Sequence, residues 1–574
     1  MPVAALAVLL LACWPTRAAS AAPSDATCFD CEWLELPLDE WNALRNTTVV
    51  EVLPWGEAVT LPPVDYRRLG EELCECVLDS REGIPETRLP ASHYVRAEGT
   101  RFMLHGEPFR FAGWNAYQAL PWAASNDSRF LSDLDSLFSH AAELGLVVGR
   151  VFVVANGAPV RPPFLQKFDD LQPELAEAPW ITLQPAAGVM NETVLEALDH
   201  LMVLAADNGI KLVLTLADYH ATFGANPAGI EPYVQWVKGS LNLTGYTVLD
   251  FYTDSRIKLI YKHNLCTLAN RVNSLTGVKY RDDPALFSWD LINEPRCPAC
   301  PGPSRGAALT AWVDEMSAFM SCVDGNHMVH VGSEGYFSDS QPQFIASNPG
   351  SWSLCSGVDF TALTALPHVH YGAAHMYESM RGSWNEATRS NCGWDCVTDW
   401  FRTWLQSHFD ASGVVGKPLV LEEYGKPWDE VKRNEMFKLV QDEFRVAWQQ
   451  NASSPAAGAM FWGATAGPHI NWNGFELRLD GGPSVPAPVA QADELKKQMP
   501  PEQTQWLADV HAMQAAFRHS VLEELCQAVV KEQFPPTLAS YSSNTMLAIV
   551  AGMAAEAAAS AGEPMVVAAA NSGD

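Results

Sequence analysis

Basic residues are scarce in this chain. Its 37 Lys and Arg stand against 67 Asp and Glu, a formal charge of −30 at pH 7. Coulomb repulsion at that charge opposes phosphate at long range, which argues against nucleic acid and against an anionic membrane as partners. Salt adaptation would give the same acidity, so composition alone does not separate it from a preference for a neutral substrate. Long apolar runs are missing too. Val3 to Cys13 is too short to span a bilayer, and Met546 to Ala559 is only mildly hydrophobic and contains Glu556. The extreme end lacks the apolar tail of a lipid-anchor signal, so no membrane partner is expected. A glycine-rich turn is also absent after the first regular strand, Phe109–Gly113. Gly113-Trp114-Asn115-Ala116-Tyr117 puts aromatic and amide groups where a doubly wound dinucleotide fold needs glycines.

What is abundant is aromatic. The 20 Trp, 24 Phe and 14 Tyr lean toward flat apolar ligand faces such as sugar rings, although the same residues also pack cores. Residues 1–21 read as a secretory signal, with an apolar run and a small-residue cleavage site at Ala19-Ser20-Ala21. No Lys or Arg precedes that run, and the initiator amine supplies the only charge there. Its removal leaves 12 of the 13 Cys, with close pairs at Cys28/Cys31, Cys74/Cys76, Cys297/Cys300 and Cys392/Cys396. In a cytosolic protein such pairs suggest zinc; in an exported one they belong to disulfides, whose connectivity the sequence does not reveal. Glycosylation sequons at Asn46, Asn126, Asn191, Asn242 and Asn451 agree with a secreted, extracellular protein.

Residues 22–91 carry four Cys, several Pro and no long helical period, and read as a small Cys-containing extension. Arg101–Leu104 and the residues after His105-Gly106 read as a hairpin. A strand–helix alternation follows, with helices predicted at 130–144, 193–208, 254–273, 306–321, 396–410 and 430–449. The strands between them are predicted at Phe109–Gly113, Leu146–Val154, Ile210–Leu216, Ala285–Leu291, His327–Val331, Val369–Ala374, Pro418–Glu422 and Gly458–Trp462. They are continuous apolar runs, as expected where helices cover one face and a closed core fills the other. Gly145 and Gly209 stand where helix C-caps hand over to strands. Eight such units predict an α/β fold, a (β/α)8 TIM barrel over 92–482. Residues 483–535 read as a helical segment packed on it, and 536–574 as a disordered tail rich in Ala, Ser and Gly.

Two strands end in acid. Trp289-Asp290-Leu291-Ile292-Asn293-Glu294-Pro295 places one carboxylate at the mouth of the fold, and Leu419-Val420-Leu421-Glu422-Glu423-Tyr424-Gly425 places another. Two carboxylates on separate strand tips are what glycoside hydrolysis needs. Glu294 is the candidate acid/base, with Asn293 beside it to hold a sugar hydroxyl. Glu423 is the candidate nucleophile. If strand alternation persists, Glu422 faces away from it, and periodicity alone does not choose between the two. Arg150 is a charge inside an apolar strand and needs an anion there, for which a catalytic carboxylate is a fitting partner. His375 and Tyr377 follow their strand at every second position and so share a face, a satisfied core His being the alternative. Trp462 is either a sugar platform or a core indole.

Six segments resemble the plant and fungal endo-β-1,4-mannanases of glycoside hydrolase family 5. They are Phe111-Ala112-Gly113-Trp114-Asn115-Ala116-Tyr117, Tyr233-Val234-Gln235-Trp236, Tyr280-Arg281-Asp282-Asp283-Pro284, Asn293-Glu294-Pro295-Arg296-Cys297, Glu334-Gly335-Tyr336-Phe337 and Glu423-Tyr424-Gly425-Lys426. The resemblance covers about 96–480 with the motifs in order. It implies a retaining enzyme acting on a neutral β-mannan-type polysaccharide without metal or organic cofactor. It further implies Glu294 as acid/base, Glu423 as nucleophile, and Arg150, Asn293, His375, Tyr377, Trp462, Trp114 and Asn115 as binding residues. Retention implies carboxyl groups roughly 5–5.5 Å apart, a raised pKa for Glu294 and an ionised Glu423 beside Arg150. One departure stands out: relatives show Arg-Thr-Trp-Ala where this chain has Arg150-Val151-Phe152-Val153. A retaining β-glucanase and a catalytically retired carbohydrate-binding or wall protein are the competing readings.

Overall fold

The computed structural model describes residues 49–52, 58–61, 64–82, 90–154, 156–157, 182–220, 229–238, 245–297, 306–381, 393–427, 429–467 and 474–480. The signal segment, the sequons at Asn46 and Asn242, and the segments 483–535 and 536–574 lie outside these.

Eight parallel strands form the central sheet: β1 Phe111–Ala116, β2 Leu146–Phe152, β3 Lys211–Thr215, β4 Leu286–Asn293, β5 Met328–Gly332, β6 Gly372–Tyr377, β7 Leu419–Gly425 and β8 Ala456–Trp462. Their order is β5-β4-β3-β2-β1-β8-β7-β6. Between β5 and β6 the ladder gives way to single bonds. The His370 N–H donates to the Val329 carbonyl at 2.8 Å near the floor, and the His375 N–H donates to the Glu334 carbonyl at 3.1 Å near the mouth. The predicted barrel is therefore observed, with β6 beginning three residues later than expected and running on through His375 and Tyr377.

Helices cover the outside because their apolar stripes meet the outward faces of the strands. Ser128–Glu143 buries Phe130, Leu134, Leu137, Phe138 and Ala141. Asp127, Asn191, Asp254, Asp359 and Asp429 each begin a helix by accepting a backbone N–H. Gly145 and Gly209, with φ of +74° and +64°, reverse the chain at helix ends as predicted. The hairpin expected at 101–109 is one part of a three-stranded sheet, Arg96–Glu98, Arg101–Leu104 and Glu107–Phe109. It plugs the barrel floor: Phe102 is fully buried, with its ring against Phe111, Phe287 and Tyr371. With the floor apolar and closed, polar side chains collect at the opposite, C-terminal mouth.

The extension before the barrel contains a helix that its sequence did not announce, Tyr66–Glu82. Leu69, Leu73 and Val77 recur every fourth residue and are buried. Tyr66 and Cys74 complete the buried stripe, but Arg67, Arg68, Glu71, Glu72 and Glu75 interleave it, so its periodicity is faint in the sequence. A disulfide from Cys76 to Cys266 ties this helix to Ser255–Asn270. Cys74, Cys297, Cys322, Cys355 and Cys396 are disulfide-bonded as well. Disulfide rather than zinc is thus the state of these seven, and Cys76 reaches across 190 residues instead of bonding its near neighbour Cys74.

Candidate active site

The tip of β4 carries the first carboxylate in an uncommon backbone conformation. Glu294 has φ of +42°, a region that a non-glycine residue enters at some cost, and its N–H donates to the Gly332 carbonyl at 2.6 Å. This turn swings the side chain over the mouth, where two imidazoles hold it. Oε2 meets His220 Nε2 at 2.6 Å and Oε1 meets His375 Nδ1 at 2.8 Å.

Glu423 faces it from β7. Its Oε1 accepts from Arg150 Nη1 at 2.5 Å and its Oε2 accepts from the Tyr377 hydroxyl at 2.7 Å. Single ligating atoms of Glu294, His375 and Glu423 all lie within 4.8 Å of one another. Nearest atoms this close are compatible with the roughly 5–5.5 Å separation of a retaining carboxylate pair.

Arg150 is wholly buried on β2 and binds three carboxylates. Besides Glu423 it reaches Asp290 Oδ2 at 2.7 Å and Glu422 Oε2 at 3.6 Å, and it donates to Asn293 Oδ1 at 2.8 Å. Asn293 passes the contact on, its Nδ2 donating to Asp218 Oδ1 at 3.2 Å. Burial, opposed mainly by the charge and backbone N–H of His220, pushes the Asp218 carboxyl up to about 6.

Alternation does not persist along β7. Against β6 the register steps from Ala374–Leu421 to His375–Glu423, leaving Glu422 as the bulged residue. Glu422 consequently points inward as well. It is fully buried, accepts from His330 Nε2 at 2.6 Å, and lies 3.6 Å from His375 Nε2. The expectation that only one of the adjacent acids enters the barrel is corrected by this bulge.

Trp114 is not brought to the mouth. It points outward from β1 and is fully buried, with its ring edge-on to Phe138 and Nε1 donating to the Leu146 carbonyl. Asn115 points inward but lies beneath the cleft, donating to the Glu422 and Phe461 carbonyls and accepting from Arg150. It supports the site rather than facing solvent. Trp462 is partly exposed and lies parallel to Tyr117, centroids 5.8 Å apart. Phe152, at 4% exposure, is packed edge-on under Trp462 with the Arg150 guanidinium 4.7 Å over its ring. It props up the platform and offers little face of its own.

Protonation in this cleft runs against the simple expectation for Glu294. Burial alone would raise its carboxyl, but hydrogen bonds and charge from His220 and His375 outweigh that and hold it well below the usual range. Burial would lower His375, yet Glu423, Glu294 and Glu422 together push it up to about 10. Burial likewise opposes the upward shift of His220, which its bond to Glu294 causes. Glu423 is raised by burial and by the charge of Glu294, against the pull of His375 and Arg150. Two imidazoles thus lie one hydrogen bond away from Glu294, and both are shifted upward by the carboxylates they face.

His220 and Asp290 escaped notice in the sequence. His220 follows β3 in Asp218-Tyr219-His220, and polar residues after a barrel strand are a usable signal. Asp290 is a lone acid inside an apolar strand, as Arg150 is a lone base. Beside the pair, Arg296 Nε donates to Glu334 Oε1 at 2.7 Å and its guanidinium lies over Tyr336 and Trp352. His220, Glu294 and Glu334 have spacing that would admit a cation, as have Asp290, His330 and Glu422. Arg296 and Arg150 already bring positive charge to these two groups.

A close carboxylate pair at the C-terminal mouth of a parallel (β/α)8 barrel, beside a partly exposed aromatic stack, is the arrangement of a glycoside hydrolase. The sequence matches the family described as GH family 5 beta-mannosidase-like over residues 92–467. Mannan endo-1,4-beta-mannosidase 7 of Arabidopsis thaliana is 31% identical over 379 residues, covering 65% of this chain and 78% of that protein. Mannan endo-1,4-beta-mannosidase 4 of Oryza sativa subsp. japonica is 32% identical over 382 residues, covering 65% and 74%. The solved endo-1,4-beta-D-mannanase of Thermotoga petrophila RKU-1 is similar with a TM-score of 0.52 and 29% identity, covering 66% of this chain and 97% of that one. The chain belongs to glycoside hydrolase family 5.

Proposed function

We propose that this protein is an endo-acting β-1,4-mannanase that cleaves mannan, glucomannan or galactomannan with retention. The observation that carries the reading is the apposition of Glu294 and Glu423, each held by its own set of donors. Glu423, aligned by Arg150 and Tyr377, attacks the anomeric carbon. The C1–O bond breaks, and the leaving oxygen takes the proton from Glu294. A water then gives its proton back to Glu294 and adds to C1, and Glu423 departs. His220 and His375, each hydrogen-bonded to Glu294, are placed to hand it a proton. Asn293 lies where it can meet a hydroxyl beside the reacting carbon, and the Tyr117–Trp462 stack offers a flat face to a sugar ring.

Glu294→Gln should leave folding intact and abolish turnover of ordinary mannan, measured as new reducing ends against wild type. Turnover within tenfold of wild type rejects the assignment. Running the wild type on mannan, glucomannan, galactomannan and cellulose tests the substrate. Release from cellulose alone favours a β-glucanase, and release from none favours a binding protein. Export to an oxidising compartment is part of the same reading and is supported by the seven disulfide-bonded cysteines.

A further inference from the structure

The bulge at Glu422 extends the Glu294–His375 contact into a buried chain whose inner members, Glu422 and His330, the two-carboxylate mechanism does not use. His330 Nε2 bonds Glu422 Oε1 at 2.6 Å. Glu422 Oε2 and His375 Nε2 are both buried, neither has a hydrogen bond, and they lie 3.6 Å apart. On the far side of the same ring, His375 Nδ1 bonds Glu294 Oε1 at 2.8 Å. A small closure would satisfy both orphaned atoms at once, and buried orphans are costly enough to favour it.

We propose that Glu422 is a positioning residue for the reaction: anchored by His330, it orients the His375 ring so that Nδ1 presents its proton to Glu294. This rests on Glu294 being the acid/base, as proposed above. Three features of the packing support it. His330 is itself fixed, its ring stacked on Tyr371 with centroids 4.2 Å apart, and the Tyr371 hydroxyl meets Ser288 Oγ at 2.8 Å. The His375 main chain is fixed too, because Trp404 Nε1 donates to its carbonyl at 3.0 Å. Glu422 also faces Arg150, but at 3.6 Å it makes no hydrogen bond to a guanidinium that Asp290 and Glu423 hold at 2.7 and 2.5 Å. The carboxylate has been brought into the barrel by a break in strand register, and its oxygen without a hydrogen bond lies 3.6 Å from the ring that serves Glu294 and 3.6 Å from Arg150 Nη2.

The charges facing His375 come from two strands: Glu294 at the end of β4, and Glu422 and Glu423 on β7. Those facing Glu422 are His330 on β5, Arg150 on β2 and His375 on β6. Glu294 and His375 share one proton, so its loss belongs to the pair. Glu422 stabilises the imidazolium and keeps that proton in the cleft to higher pH. Neutralising Glu422 should let it leave at lower pH, moving the alkaline limb of the rate profile toward acid.

The test is the kcat/KM profile of Glu422→Gln on mannan, which keeps the side chain's shape and an oxygen for His330. The alkaline limb should move at least about one pH unit toward acid, a tenfold loss above the limb for each unit. An unchanged limb, even with lower thermal stability, overturns the proposal and leaves Glu422 a structural residue. Should the variant fold poorly, ¹⁵N-histidine spectra of the wild type decide. A His375 signal that stays imidazolium above pH 8 supports the chain, whereas a neutral ring at pH 7 overturns it. The spectra need no substrate, so their failure is distinct from failure of the mannanase reading, which Glu294→Gln reports.

Discussion

Arg150 sets the charge balance of the cleft. Its guanidinium has 0% exposure and faces Asp290, Glu422 and Glu423 at 2.7, 3.6 and 2.5 Å. Removing a buried cation strands its anions, which costs more than the pair contributed in place. Arg150→Met should therefore destabilise the fold by about 3–5 kcal/mol in urea unfolding at neutral pH. The penalty should shrink as pH falls, because Glu422 and Glu423, buried without the cation, then take up protons. A loss under 1 kcal/mol at pH 7 would mean that Arg150 faces no uncompensated charge and the charge assignment is wrong. This residue was legible in the sequence because a lone base inside Leu146–Phe152 demands an anion. Its multiplicity of partners was not. Asp290 lies on another strand, and Glu422 reaches Arg150 only because of a register break that no local pattern encodes.

At the scale of the element, the site depends on how closely the strands let side chains approach. Gly332 ends β5 directly over the Arg150–Asp290 pair. A Cβ there would lie 2.7 Å from both Arg150 Nη2 and Asp290 Oδ2. Gly332→Ala should displace the guanidinium and with it Glu423. For a shift of about 1 Å the expected loss in kcat is on the order of 100-fold. Gly325→Ala, where a Cβ meets nothing within 4 Å, is the control and should leave kcat unchanged. Equal kcat in the two variants would show that strand spacing is not what places Arg150. Element identity was the most readable level of this protein, since eight apolar runs between amphipathic helices announce a barrel by periodicity alone. Facing was harder to read. Simple alternation correctly puts Asn115 inward, and it puts Trp114 outward into the core despite its place in a family-like motif. The same rule fails at the β7 bulge. It was silent on Tyr66–Glu82, where three buried aliphatic residues define a helix only once Ser255–Asn270 is there to receive them.

The whole barrel closes at one seam, and an imidazole helps to hold it. Between β5 and β6, the His370 N–H donates to the Val329 carbonyl at 2.8 Å, and the Val329 N–H donates back to His370 Nδ1 at 2.9 Å. A ring nitrogen that accepts a hydrogen bond cannot also carry a proton. Burial pushes His370 down to about 4, with the charges of Lys417 and His368 acting in the same direction against a bond to Val329 that opposes them. The unfolded chain, with an ordinary imidazole near 6.5, therefore binds this proton first as pH falls. The stability due to His370 is fully present above about pH 6.5 and is lost progressively down to about pH 4. Burial also pushes His408 down to about 4, which adds to the same window, and it lowers His263 in the same direction. Buried carboxylates held below their usual range, such as Asp199 and Asp324, contribute stability that is present throughout this window and is lost only below about pH 4. His370→Asn isolates the seam, because its side-chain oxygen can accept from Val329 and does not titrate. Between pH 6.5 and 4.5 the unfolding temperature of the wild type should fall more steeply than that of the variant, the other titrating groups, including Asp218, being common to both. Parallel curves across that range would show that the seam does not depend on a neutral ring, and that the barrel is held shut by its main-chain bonds alone.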